Sequence, residues 1–264
     1  PTGSSFVGGV AFDPINGTVW TVDENNDLIK QFTRIGKPLQ SFSAPTPPGS
    51  GLSNAQPIGA CIDPLTGNLW IADEGEYVYE FTQAGKTTGR SWSTKPAITD
   101  ASAIAYDPAT RSLYVSNDSG RLIGHFTTAG KSIRTFSVSG AGSSDPDGLA
   151  YNPVTGTFYL GEDTGDQIIE VDPTGKFIKS WSMSTLGLSP EGLAVDTRSG
   201  SLFVGGGWVN RSVSEVGGIV PACRGAVTPY GQGCPDSGNM VPILGASDCP
   251  AIGRSLCLGE WTSP

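Results

Sequence analysis

Acidic and Asx residues recur in pairs along this chain, at Asp23-Glu24, Asp73-Glu74, Asn117-Asp118 and Glu162-Asp163. Adjacent carboxylates can ligate a hard cation or pass a proton between them. They can also do something plainer. Such side chains accept hydrogen bonds from the turns they begin, and Gly75, Gly120 and Gly165 follow closely. A catalytic pair has no need of four copies, so turn capping is the expectation. Where a fifth pair would fall, the chain reads Gly205-Gly206-Gly207.

Other reactive side chains are few. The single histidine, His125, aligns with Gln31, Glu80, Glu170 and Glu215, so it belongs to a polar row rather than to a unique constellation. The chain also lacks a Gly-x-Ser-x-Gly elbow, which argues against a Ser-His hydrolase. Cys61 aligns with Ala11, Ala105, Ala150 and Ala194, the place of a compact buried hydrophobe. The remaining cysteines, Cys223, Cys234, Cys249 and Cys257, are 11, 15 and 8 residues apart, with no C-x₂-C knuckle for zinc.

These positions align because the chain repeats. Trp20, Trp70, Tyr114, Tyr159 and Phe203 are separated by 50, 44, 45 and 44 residues. Each unit opens with a small-apolar strand ending in Asp-Pro or a variant, turns at a glycine, and continues into an aromatic strand. A third strand follows, ending at Phe32, Phe81, Phe126, Val171 or Val216. Units one to four then show a Gly-Lys turn and a fourth strand carrying Ser41-Phe42, Ser91-Trp92, Thr135-Phe136 or Ser180-Trp181. Four antiparallel strands per repeat make a blade whose faces only neighbouring blades can bury. The expected fold is an all-β, five-bladed β-propeller over residues 1–222, with a disulfide-rich tail over 223–264. Unit five shows only three strands, so its outer edge needs a cover. Ser4–Val7, residues 219–222 and the tail segment MVPILG (240–245) are the candidate donors, and the Gly205–Gly207 run would allow close backbone approach there.

Units such as PDGLAYNPVTGTFYLGEDTGDQIIEVDPTGKFIKSW resemble blades of the NHL and gluconolactonase-like β-propeller superfamily, over about residues 5–216. In such propellers an acid just before the innermost strand helps hold a divalent metal in the central channel. The resemblance therefore implies Asp147 and Glu191 as ligands, for Ca²⁺ above all. The matching positions elsewhere are Ser102, Ile58 and Gly8, however, and two carboxylates fall short of the six to eight oxygens Ca²⁺ takes. The expectation is thus no resident cofactor and no enzyme, with a metal-dependent lactonase-like hydrolase as the minority reading. The tail segment YGQGCPDSGNMVPILGASDCPAIG is similar to C-terminal modules on secreted proteins of planctomycete-type bacteria, which implies an extracellular address.

Composition agrees with many turns and short strands: 37 glycines and 20 prolines against 16% charged residues. A net charge of −9 without a basic cluster repels phosphate backbones, so nucleic acid is not expected as a partner. No apolar run is long enough to span a bilayer. Pro1 without a preceding Met fits a secreted protein whose signal peptide has been removed, and a trimmed chain would look the same. Four cysteines in the last 42 residues suggest two disulfides in an oxidising compartment, with three pairings open. Sequons at Asn16, Asn117 and Asn210 lie in expected turns or at strand starts. The function expected from all this is a structural or adhesive protein at the cell surface that self-assembles into filaments or a layer. Its partners would be copies of itself, with Ile243, Leu244 and Trp261 supplying buried area. The alternative is a module that binds a glycan, peptide or small molecule.

Overall fold

The computed structural model describes residues 4–221. Nineteen strands form five antiparallel sheets in chain order. Blade I contains β1 (Val10–Asp13), β2 (Thr18–Asp23), β3 (Leu28–Thr33) and β4 (Pro38–Ser43). Blade II contains β5 (Pro57–Ile62), β6 (Leu69–Asp73), β7 (Tyr77–Phe81) and β8 (Thr87–Ser93). Blade III contains β9 (Ala101–Asp107), β10 (Ser112–Asn117), β11 (Leu122–Thr127) and β12 (Ser132–Ser137). Blade IV contains β13 (Gly148–Asn152), β14 (Thr157–Glu162), β15 (Gln167–Val171) and β16 (Phe177–Ser182). Blade V contains β17 (Gly192–Asp196), β18 (Ser201–Gly205) and β19 (Val213–Gly217), with three strands among the described residues. The first strands of the blades pack side by side around one axis, and β1 meets β17 to close the ring. This is the five-bladed propeller that the repeat predicts.

The same local chemistry builds every blade. The Asx residue ending each innermost strand accepts the backbone N–H two residues on: Asp13 from Ile15, Asp63 from Leu65, Asp107 from Ala109, Asn152 from Val154 and Asp196 from Arg198. That Asx turn reverses the chain into the second strand, whose aromatic pairs with a small residue of the first: Trp20 with Ala11, Trp70 with Cys61, Tyr114 with Ala105, Tyr159 with Ala150 and Phe203 with Ala194. Cys61 is buried and free, and burial raises its thiol pKa well above normal, so it acts as an inert hydrophobe. The small row leaves a channel cavity of about 90 Å³ lined by apolar side chains. That holds a few waters, not a substrate, since ligand pockets run to roughly 300–1,000 Å³.

Neighbouring blades are wedged apart by the aromatics of the outermost strands. Phe42 meets Phe81 of blade II at 5.5 Å, Trp92 meets Phe126 of blade III at 5.0 Å, and Phe136 meets Phe158 of blade IV at 5.6 Å. The V–I joint differs. Arg34, from the β3–β4 turn, stacks over Phe12 at 5.4 Å and Phe203 at 5.3 Å, and bridges to Asp196 at 2.6 Å and to Glu215. Both carboxylates are held below their ordinary pKa, Glu215 chiefly by the Arg34 hydrogen bond, Asp196 by its Ser199 and Arg34 bonds against opposing burial.

Two of the expected edge donors are committed elsewhere. Ser5 donates to Asp23, Phe6 packs edge-on against Trp208 at 4.9 Å, and Val7 accepts from the Gly207 N–H. Ile219 and Val220 are buried with Leu188, Leu202 and Trp181 between blades IV and V. Neither segment pairs with β19. The third donor, 240–245, lies outside the described residues, as do Cys223, Cys234, Cys249, Cys257, Ile243, Leu244 and Trp261. Among the described residues no helix is long and apolar enough to cross a membrane.

Candidate functional site

The two members of each acidic pair have different fates. The first member is buried and acts as a clamp: Asp23, Asp73 and Glu162 are 0% exposed and Asn117 is 3%. Asp23 accepts from Ser5, Asn26 and Lys30, and Asp73 from the N–H groups of Gln56 and Gly75. Asn117 accepts from the Gly120 N–H, and Glu162 from Ser143 and from the Ser144 and Asp145 N–H groups. Turn capping therefore holds for Asp73, Asn117 and, through Asn26, Asp23. Asp23, Asp73 and Glu162 also clasp the segment leading into their own blade's innermost strand, and for Glu162 that is the whole role.

The second members do not cap. Glu24, Glu74, Asp118 and Asp163 lie at the mouth of the channel where the innermost strands begin, together with Asp145, Asp147 and Glu191. One carboxylate oxygen each from Asp118, Asp145 and Asp147 lies within 4.8 Å of the others. Burial, then the neighbouring acids, pushes Asp147 up to about 9, with Glu191 the leading charge, and Glu191 up to about 8, with Asp163 leading. Burial with Glu74 raises Glu24 to about 7, and burial with Asp145 raises Asp118 to about 7. Every leading charge on these four groups is another carboxylate. The Asp147 Oδ2 atom is buried without a hydrogen-bond partner.

The glycine run of the last repeat belongs to this mouth rather than to the outer edge of the blade. Gly207 has a left-handed φ of +48°, and a Cβ there would overlap the Glu191 carboxylate. Gly205 pairs with Gly192 and accepts the Glu191 N–H at 2.9 Å, which fixes the backbone that presents this acid. Replacing the fifth acidic pair by glycines leaves room for the carboxylate that arrives from the strand before.

Of the two ligands named from resemblance, Asp147 lies in the close triad and Glu191 is coupled to it electrostatically. Sequence reasoning missed Asp145, although Asp145-Pro146-Asp147 puts two acids either side of a rigid residue. It also assigned Glu24, Glu74, Asp118 and Asp163 wholly to turns. His125 is where its row places it. It pairs in register with Tyr114, stacks on that ring at 4.2 Å and bonds Ser112 at 2.6 Å, as Gln31 bonds Thr18 and Glu170 bonds Thr157 in their blades. Burial and Arg134 lower its pKa, so it is neutral and structural.

No protein-family profile matches the chain, and no curated protein sequence matches it. Solved β-propellers do. Glutaminyl cyclase from Myxococcus xanthus is 16% identical, over 80% of this chain and 90% of that one, with a TM-score of 0.62. A chain of the nidogen–laminin complex is 15% identical, over 80% and 75%, with a TM-score of 0.56. Virginiamycin B lyase from Staphylococcus aureus is 19% identical, over 84% and 73%, with a TM-score of 0.50. At such identities the likeness shows the propeller fold and nothing finer. It does correct one expectation. The reading of the chain as a non-enzyme is withdrawn, because the propellers it resembles include a lyase and a cyclase.

Proposed function

We propose that the channel mouth binds a divalent, oxygen-preferring cation such as Ca²⁺, and that the protein is a cation-dependent hydrolase of small lactones or esters. The observation that carries this reading is the convergence of carboxylates in which Glu24, Asp118, Asp147 and Glu191 each have another acid of the cluster as leading charged neighbour. Asp118, Asp145 and Asp147 offer three ligand oxygens, and hard cations take oxygen donors with water completing the shell. The cation would supply charge that polarises an acyl carbonyl. This chain's own part is proton handling: in the cation-free site burial and neighbouring acids raise Glu191 to about 8 and Glu24 to about 7, which suits the pair to giving and taking up a proton. The channel below excludes substrate, so chemistry is confined to the open mouth. Lactone or ester hydrolysis fits a described site made of carboxylates, which can hold a cation and move protons.

Calcium titration followed by calorimetry, then turnover of a lactone and ester panel with and without chelator, tests this. Chelator-sensitive turnover abolished by Asp147→Asn is the expected result, and absence of cation binding would overturn the reading. Binding without turnover would favour a cation-dependent module for a glycan or other ligand. An extracellular address rests on the tail cysteines, and a self-assembling role on the outer edge of β19, which pairs with no further strand among the described residues.

A further inference from the structure

The channel mouth has an aromatic wall that proton handling leaves unused. The turn between the second and third strands has three residues in blade II and four in blades I, III and IV. In blade V it has seven, 206–212, and the added length carries Trp208 and Val209 on a one-turn helix, Gly207–Asn210. Both residues are exposed, Trp208 at 57% and Val209 at 69%. Adjacent exposed apolar residues beside a polar rim mark a surface that meets a ligand or partner.

Three anchors hold this turn. The Gly207 N–H donates to the Val7 carbonyl at 3.2 Å, the Gly206 N–H to the Ser212 carbonyl at 3.0 Å, and the Asn210 side-chain amide to the Gly187 carbonyl. Phe6 packs against the Trp208 ring with the two planes 61° apart. Acids stand at both ends of this pair. Gly207, next to Trp208 in the chain, lies against the Glu191 carboxylate, and Phe6 approaches the Cβ position of Gly8 at 3.2 Å, where the Glu24 Oε2 atom stands 3.3 Å away. The Phe6–Trp208 pair thus links the surroundings of Glu191 to those of Glu24.

Charge decides what such a wall would seat. The groups acting on Glu191 are Asp163, Glu24, Asp145 and Asp118, all carboxylates. A mouth of this sign repels anionic ligands and draws in cationic ones. An indole face attracts an alkylammonium group more strongly than a Phe or Tyr ring does, and the alkyl groups bury apolar area against it. We propose that Trp208 sets the specificity of the site by seating the ammonium head of a cationic ester or lactone, with Phe6 holding the indole in place and the acids supplying counter-charge. Turnover of such an ester rests on the hydrolase reading above, whereas binding of its ammonium group stands on the wall alone.

Calorimetry on the full chain, with and without Ca²⁺, tests this with two probes: choline, and the alcohol in which tert-butyl replaces its trimethylammonium group. Choline is expected to bind about fivefold more tightly than the alcohol. Trp208→Ala should remove that advantage and Trp208→Phe only part of it, with the melting temperature of each variant as the folding control. No binding of choline, equal binding of the two probes, or choline binding unchanged by Trp208→Ala would each overturn the proposal. Equal binding would make the wall a neutral apolar surface, and indifference to Trp208→Ala would leave the ammonium group on the carboxylates alone. Failure of the hydrolase reading looks different. Choline selectivity carried by Trp208, without Ca²⁺ binding or turnover, would remove the reaction and keep the wall. Chelator-sensitive turnover of a neutral ester without choline selectivity would do the reverse.

Discussion

Two carboxylates one residue apart, Glu162 and Asp163, occupy the same turn and do unrelated things. Glu162 is 0% exposed and gathers hydroxyl and N–H donors from Ser143, Ser144 and Asp145, so its charge is spent on holding a crossing segment. Asp163 points its field at Glu191, Asp147 and Asp118. Asp23 and Glu24 divide in the same way. A carboxylate surrounded by donors stabilises the fold, and one surrounded by carboxylates stores unfavourable energy that a cation or a proton can release.

The sharpest way to break this comparison is Glu162→Ala. Removing the clamp leaves several donors without an acceptor, and unfolding free energy is expected to drop by roughly 3 kcal/mol, read by denaturant titration. Asp163→Asn, next door, should leave cation-free stability equal or higher. If both lower it alike, the division between clamp and site fails.

The next largest effect is on pH. Asp147, Glu191, Glu24 and Asp118 have folded pKa values raised to about 9, 8, 7 and 7, so the folded state holds protons that the unfolded chain releases near its ordinary carboxylate range. Their stabilising protonated state is complete below about pH 4 and is lost as pH climbs through 7 to 9. Melting temperature in chelator should therefore fall from pH 5 to pH 9, and Ca²⁺ should recover most of the loss at the alkaline end. A flat profile would contradict the cluster.

Neutral substitution at the mouth should act in a smaller and opposite sense to the clamp. Glu191→Gln is expected to raise cation-free stability at pH 8 by about 1 kcal/mol after allowance for solvent screening, or a few degrees in a thermal melt. It should also weaken Ca²⁺ binding severalfold. The smallest effect belongs to His125→Gln, which places in blade III the residue blade I carries as Gln31. Stability should change by less than about 1 kcal/mol, with turnover unaltered at any pH.

The periodic positions were legible because repetition reveals backbone requirements. Aligning Asp13 with Asn152, Trp20 with Phe203 and His125 with Gln31 placed each in its true register, since every blade must make the same turn and fill the same wedge. The site was harder to see for the same reason. Glu24, Asp118 and Asp163 repeat as faithfully as their clamping neighbours, and only burial and closing distances separate the two sets. Asp145 aligns with Ser189 of the last repeat, so its column is not acidic throughout and could not single it out.

The Arg34 clasp bears on how the molecule carries load. Among the described residues four joints of the ring are continuous polypeptide, and the fifth, between V and I, is made by non-covalent contacts that include the Arg34 clasp. Pulled apart, such a ring parts first at its clasp, as a bracelet does. The parting carries Glu191 away from Glu24 before any sheet is disturbed. Mechanical strain across that joint would then unmake the acidic mouth while leaving the blades whole, giving the site a lower breaking force than the scaffold that bears it.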